Sequence, residues 1–286
     1  MGNEFDNIKN KRGCLNKDFE LFHIKDKKDL EFEFHYHDFN KIIIFISGKV
    51  TYAIEGKYYK LRPWDILLIN SNDIHKPIID PGETYERIII WVNSNFIINH
   101  NSSDCNLFQC FELASSEKIN LLRLDCESLK NIKSILQQLE ETKHDVRFGN
   151  SILSNSLFLQ FLVYLNRLFL ERHNEDELSD IQYDESIGKI LDYINKNLSE
   201  DLSIERISSK FYISKYYLMH KFKIQTGYTV HNYILQKRLA MARSLIKDGS
   251  STTEAAIESG FNDYSSFVRA FKKNYEISPK HCLKIR

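Results

Sequence analysis

The chain lacks the marks of a membrane, secreted or disulfide-stapled protein. Its five cysteines, Cys14, Cys105, Cys110, Cys126 and Cys282, are odd in number, scattered and without a CxxC pair. That spacing argues against a disulfide framework or a zinc finger and fits reduced thiols inside a cell. The longest apolar runs, such as residues 42–46 and 88–92, fall far short of the ~20 residues that span a bilayer. Residues 1–12 are polar and charged, unlike a signal peptide. A soluble, cytoplasmic protein with no membrane partner is expected. There is also no net charge, 39 Lys and Arg balancing 39 Asp and Glu.

That balance hides a split. Residues 186–286 hold 17 Lys and Arg against 9 Asp and Glu, which leaves 22 against 30 in residues 1–185. A basic module joined to an acidic one points to a polyanionic ligand for one half only. With 286 residues, 42% of them hydrophobic, the chain can build two cores.

The basic half states one helical phrase twice. Aligning Phe222-Lys223 with Phe271-Lys272 gives an offset of 49, and the same offset pairs Tyr228-Thr229 with Ile277-Ser278. Each copy reads as a short helix, opened by Ser203 or Ser251, then a turn and a longer helix, which is the layout of a helix-turn-helix. Ser214 and Thr229 are placed as N-caps, Ser251 with Glu254 as a capping box, and Asp248-Gly249 as the stop of a long connecting helix. Leu218 and Phe222, then Phe267 and Phe271, fall on the inward faces of the longer helices.

The acidic half changes period along its length. Residues 1 to about 30 read as an arm or edge segment. From residue 31 the pattern alternates, with Phe32, Phe34 and Tyr36 on one face and His35 and His37 on the other. Further strands are expected at 41–47, 50–54, 57–61, 65–69 and 85–92, with a hairpin turn at Glu55-Gly56. Such spacing implies a small antiparallel barrel or sandwich. Helical periodicity follows from about residue 131 to Thr142 and from 151 to 171, the second stripe being Leu153, Leu157, Phe161, Tyr164, Leu165 and Leu168. The acidic residues 176–185 are expected as a linker between domains at 1–175 and 186–286.

Two resemblances attach to these residues. Residues 35–75 resemble a cupin: an HxH pair, a Gly-bounded hairpin and a late histidine. The resemblance implies that His35, His37 and His75 stand where metal-binding cupins hold a divalent ion, with Lys41 at the position of the family's glutamate. Three readings stay open. The imidazoles hold Zn²⁺; or, with no metal, Lys41 and the histidines line a site for a sugar or an anionic metabolite; or the histidines are ordinary polar residues of a strand and a loop. The metal is disfavoured, since a nearby ammonium opposes a dication, and no cofactor is expected.

Residues 187–286 are similar to the DNA-binding domain of the AraC/XylS family of transcription regulators, on TGYT, then QKRLAMA in a long helix, then GFNDYSSFVRAFKKNYEISP. That resemblance implies double-stranded DNA as partner, two reading helices in groove segments ~34 Å apart, RNA polymerase contact and an activator's role. Its base-facing positions fall on Tyr216, Met219 and His220, then Tyr264, Ser265, Val268 and Arg269. Lys215, Lys272 and Lys273 go to phosphates. The chain departs from the pattern at Tyr212, where glycine is usual, and at Thr252 and Ala255, where aliphatic residues are common. In cupin-bearing regulators the helical hairpin often forms a homodimer; packing within one chain is the other reading.

The expected fold is α+β in two domains, a cupin-like β-barrel or jelly roll with a helical hairpin and an all-α tandem helix-turn-helix domain. The expected function is an effector-controlled, DNA-binding regulator without catalytic residues. Its rivals are a metal-dependent cupin enzyme and a ligand-independent regulator controlled by a protein partner.

Overall fold

A computed structural model describes Leu15 and residues 17–27, 32–171 and 180–284. Cys14, the first part of the expected arm and residues 176–179 of the expected linker lie outside these. Apart from the hairpin tip Glu55–Lys57, the chain divides into two compact units, one up to Gln182 and one from Tyr183.

The first unit contains two antiparallel sheets. One has the order β1-β7-β2-β5-β8, formed by β1 (Phe19–Asp26), β7 (Tyr85–Val92), β2 (Asn40–Ser47), β5 (Ile66–Ile69) and β8 (Leu121–Leu122). The other has the order β6-β3-β4-β9, formed by β6 (His75–Ile79), β3 (Val50–Ile54), β4 (Lys57–Lys60) and β9 (Ile181–Gln182). Glu55 and Gly56 both take positive φ, 46° and 78°, as the tight turn between β3 and β4 requires.

The first sheet is covered on both faces, which is why β2 and β7 read as nearly unbroken apolar runs. Alternate residues Ile42, Ile44, Ile88, Ile90 and Val92 pack with helices α1 (Ser94–Asn99), α2 (Gln109–Ser116), α3 (Cys126–Thr142) and α4 (Asn150–Glu171). The intervening Ile43, Phe45, Ile89 and Trp91 pack with Tyr52, Ile54 and Tyr59 of the second sheet. Two helices of this cover match the expected hairpin. Leu153 does not belong to its buried stripe, being half-exposed at the open end of α4. By length and composition α4 is apolar enough to cross a membrane, although no single unbroken apolar run shows it. Its Leu157, Phe158, Phe161, Leu162, Leu165 and Phe169 are core residues of this unit.

Two expectations change. Residues 32–37 form no regular strand: His35 makes one two-way backbone bridge to His75, and the carbonyl of His37 accepts from the Asn72 N–H at 2.7 Å. The segment thus spends its backbone groups on a turn rather than on a ladder. At the other end, the last residues of the acidic stretch are structured. Ile181 and Gln182 pair with Tyr59 and Tyr58, while Asp180 meets Arg62 at 2.6 Å and Arg123 at 2.8 Å.

In the second unit short polar side chains set the helix starts. Asp184 caps α5 (Glu185–Lys196), Ser203 caps α6 (Ile204–Lys210), Ser214 caps α7 (Lys215–Thr226) and Thr229 caps α8 (Val230–Asp248). Ser251 and Glu254 close the capping box of α9 (Thr252–Glu258), and Asp263 caps α10 (Tyr264–Tyr275). A last helix, α11 (Pro279–Lys284), was not expected from periodicity. Connector α8 places Leu239, Ala242 and Ile246 against Ala255, Ala256, Phe267 and Phe271, and sets Tyr233 edge-on to Phe222.

The repeat is not of one register. Caps Ser203 and Ser251 lie 48 residues apart, whereas Ser214 and Asp263 lie 49 apart, so the second turn is one residue longer. Left-handed positions are also distributed differently. Tyr212 (φ 53°) matches Gly260 (φ 87°), and Gly227 (φ 75°) matches Glu276 (φ 62°). Tyr212 stands almost wholly in solvent, so its side chain meets no obstacle. A Cβ on Gly260 would lie 2.3 Å from the Leu198 carbonyl oxygen and 2.9 Å from Arg238 Nε. Arg238 already fastens that loop, donating to the carbonyls of Leu198 (2.8 Å) and Glu200 (2.6 Å). Gly260→Ala is therefore expected to lower stability by at least roughly 2 kcal/mol. Tyr212→Gly should stay within about 1 kcal/mol of wild type; thermal melts of the full chain measure both.

Candidate ligand cage and DNA-reading helices

Strand phase decides what enters the space between the sheets. Lys41 shares its face of β2 with Ile43 and Phe45, and Arg87 shares its face of β7 with Ile89 and Trp91. Both side chains are buried. Arg87 donates to Asp26 at 3.0 Å and to the Tyr85 carbonyl at 3.1 Å. No carboxylate among the described residues pairs with Lys41. Its amine meets His37 Nε2 and His75 Nε2, each at 3.1 Å.

The tautomers follow from the partners. A carbonyl oxygen only accepts, so His75 Nδ1–H donates to Asp73 O and His35 Nδ1–H donates to Glu33 O, both at 2.8 Å. On His75, which burial keeps neutral, Nε2 then carries the lone pair. His37 accepts from Lys41 through Nε2, so its proton sits on Nδ1, a buried atom without a partner among the described residues. The indole N–H of Trp91 is buried and unpartnered as well, its ring 6.3 Å from that of His37. The three histidine rings stand 4.4 to 5.3 Å apart.

Burial dominates the electrostatics. It pushes the Lys41 amine down from its ordinary 10.5 to about 7, with Arg87's charge adding to the effect. Burial, then the charge of Lys41, holds His37 and His75 well below the usual imidazole range. Tyr85, also buried, is pushed up to about 12 and Tyr52 rises too, so both stay protonated donors. With Arg87 paired to Asp26, the excess positive charge of this interior is that of Lys41 when protonated, and two buried N–H donors have no partner among the described residues.

All four expected residues, His35, His37, Lys41 and His75, come together here. Arg87, Asp26, Tyr52 and Trp91 belong to the same interior and were missed. For Arg87 and Trp91 the one signal was the alternation along residues 85–92, where a charged residue lies in phase with inward aromatics; Asp26 and Tyr52 had none.

The second unit presents the two longer helices of the repeat. On α7, Tyr216, Met219 and His220 are exposed, and the Tyr216 and His220 rings stack at 5.8 Å. Lys215 is engaged with Glu205. On α10, Ser265 and Arg269 are exposed, the guanidinium reaching Ser266 Oγ at 3.2 Å. Tyr264 is tied to Thr252 Oγ1 at 2.9 Å, and Val268 is half-buried against the core. Those two positions support the short helix as well as facing outward. Lys272 and Lys273 are exposed in the last turn.

The profile of the AraC-like ligand binding domain matches residues 20–162, which is half of the chain, and that of a helix-turn-helix domain matches residues 207–285. The chain belongs to the AraC/XylS family of transcription regulators. It is 25% identical over 251 residues to the transcriptional activator RhaR of Mannheimia succiniciproducens, covering 87% of this chain and 86% of that one. To the probable transcriptional regulator LumQ of Photobacterium leiognathi it is 26% identical over 247 residues, covering 86% and 90%. It is also similar to fatty acid-bound ToxT of Vibrio cholerae, with 18% identity, TM-score 0.37 and coverage of 94% and 95%.

In AraC-family terms the histidine and lysine cage lies wholly inside the ligand-binding match, and every expected DNA-reading residue lies inside the helix-turn-helix match. The lowered Lys41 pKa has a measurable consequence. Between about pH 7 and about pH 10.5 the unfolded chain holds a proton on Lys41 that the folded chain has lost. Stability therefore rises with pH across that window. Lys41→Met removes the group, so wild type should gain on the variant as pH increases from about 7. Chemical denaturation at several pH values checks this.

Proposed function

We propose that the protein is a cytoplasmic, sequence-specific transcriptional activator whose switch is an anionic small molecule held between the two sheets. The observation carrying the effector class is the buried Lys41 amine, which has imidazoles and Arg87 for company but, among the described residues, no carboxylate. A ligand carboxylate or phosphate would supply the missing charge. His35, His37 and His75 would then accept from or donate to its remaining polar atoms. The chain's role is regulatory rather than catalytic, and RNA polymerase is the partner through which it acts.

Tyr216, Met219 and His220 on α7 and Ser265 and Arg269 on α10 are assigned to bases, with Tyr264 and Val268 at the edge of contact. Arg269 is the direct reader, its guanidinium suiting guanine O6 and N7. Lys272 and Lys273 go to phosphates, as does Lys215 once released from Glu205. We assign homodimerisation to the helical hairpin, whose connecting loop and first turn of α4 expose Val146, Phe148, Ile152 and Leu153.

Two measurements test the reading. In thermal-shift assays with carboxylates, sugar phosphates and neutral sugars, an anionic compound should raise the midpoint of wild type. At a hundredfold excess over Kd the gain is about 2.7 kcal/mol, and Lys41→Met should abolish it. Shifts by neutral sugars alone would reject the anionic class. In footprinting on bound operator DNA, Arg269→Ala should weaken binding by ~1–3 kcal/mol and relax the preference at one base pair. An unchanged footprint and affinity would remove Arg269 from the reading face.

A further inference from the structure

Three histidines of the first unit, His35, His37 and His75, are arranged as metal ligands are. Their ring nitrogens lie within 4.8 Å of one another. Two of them, His35 and His75, have the outer nitrogen fixed by a backbone carbonyl at 2.8 Å. That is the support which turns an imidazole's Nε2 lone pair toward an ion. A divalent ion in such a site takes each imidazole at about 2.0–2.1 Å. Here the lone pairs of His37 and His75 are already in use, each accepting from Lys41 at 3.1 Å. A dication attracted to the cage needs the same lone pairs and the same volume. With Lys41 in place, the residues do not fit a metal.

We infer that the Lys41 amino group has taken over the place of a divalent ion in a three-imidazole centre, and that this one side chain keeps a metal site closed. The inference rests on the cage geometry alone and is independent of the effector and DNA readings. The amine satisfies two of the lone pairs that a metal would otherwise satisfy. Substituting Lys41 by a residue without a donor releases the Nε2 lone pairs of His37 and His75 beside His35. Three neutral imidazoles with an open fourth position suit Co²⁺, Zn²⁺ or Ni²⁺. Lys41→Glu goes further by adding a carboxylate beside them.

The test uses Co²⁺, whose visible absorption reports its coordination. Full-length wild type, Lys41→Met, Lys41→Glu and the double variant Lys41→Met/His75→Ala are exposed to Co²⁺, dialysed, and assayed for bound metal and visible spectrum. Wild type should retain no stoichiometric Co²⁺. Lys41→Met and Lys41→Glu should each retain one ion per chain with the bands of an ordered site, and the double variant should lose it. Wild type binding Co²⁺ as tightly as the variants would overturn the inference. So would folded single variants that stay metal-free, or a double variant that keeps its ion. Should a single variant prove unstable, the readout is its melting midpoint in Co²⁺. A rise lost with His75→Ala supports the inference, and no rise overturns it.

Discussion

Burial of one sheet on both of its faces is the constraint on which the rest of the sensor unit depends. Because side chains alternate along β2 and β7, covering both faces forces a choice at every residue between the helices and the second sheet. Ile42 and Ile44 go one way and Ile43 and Phe45 the other. Lys41 and Arg87, by their phase, have nowhere to go but inward. A slip of one residue would move both cations under the helices. The chemistry of the cage is thus a consequence of strand register as much as of residue identity.

Much of the second unit was legible in the sequence. Ser203, Ser214, Thr229 and Ser251 are local signals, each acting on backbone within three residues of itself, and local signals survive without tertiary knowledge. The strands at 50–54 and 85–92 were equally plain, being bounded by turns and rich in β-branched residues. What escaped depends on distant partners. Strand β9 has only two residues, and its existence is decided by Tyr58 and Tyr59 more than a hundred positions earlier. The alternation at 32–37 suggested a strand, but its backbone found partners in His75 and Asn72 rather than in a continuous neighbour.

The cage was half legible. Its histidines and Lys41 stood at recognisable positions, whereas Arg87, Asp26 and Trp91 carry no motif and are joined to the site only by sheet order. That Asp26 does not serve Lys41 is likewise a property of the fold, since it is taken by Arg87. Within the tandem, the offset between Phe222 and Phe271 showed the repeat but concealed the extra residue in the second turn. It also concealed the exchange of glycine between the turn of one copy and the C-terminal cap of the other.

The single-residue caps of the second unit have an evolutionary consequence. From α5 to α10 each helix start is held by a short polar side chain, and each core contact by a few inward residues such as Leu218, Phe222, Phe267 and Phe271. Exposed Met219, His220, Ser265 and Arg269 are among neither set. The residues we assign to base contacts can therefore drift while the instructions for folding stay fixed. A lineage carrying this domain can acquire new target promoters by surface substitutions that cost the fold little.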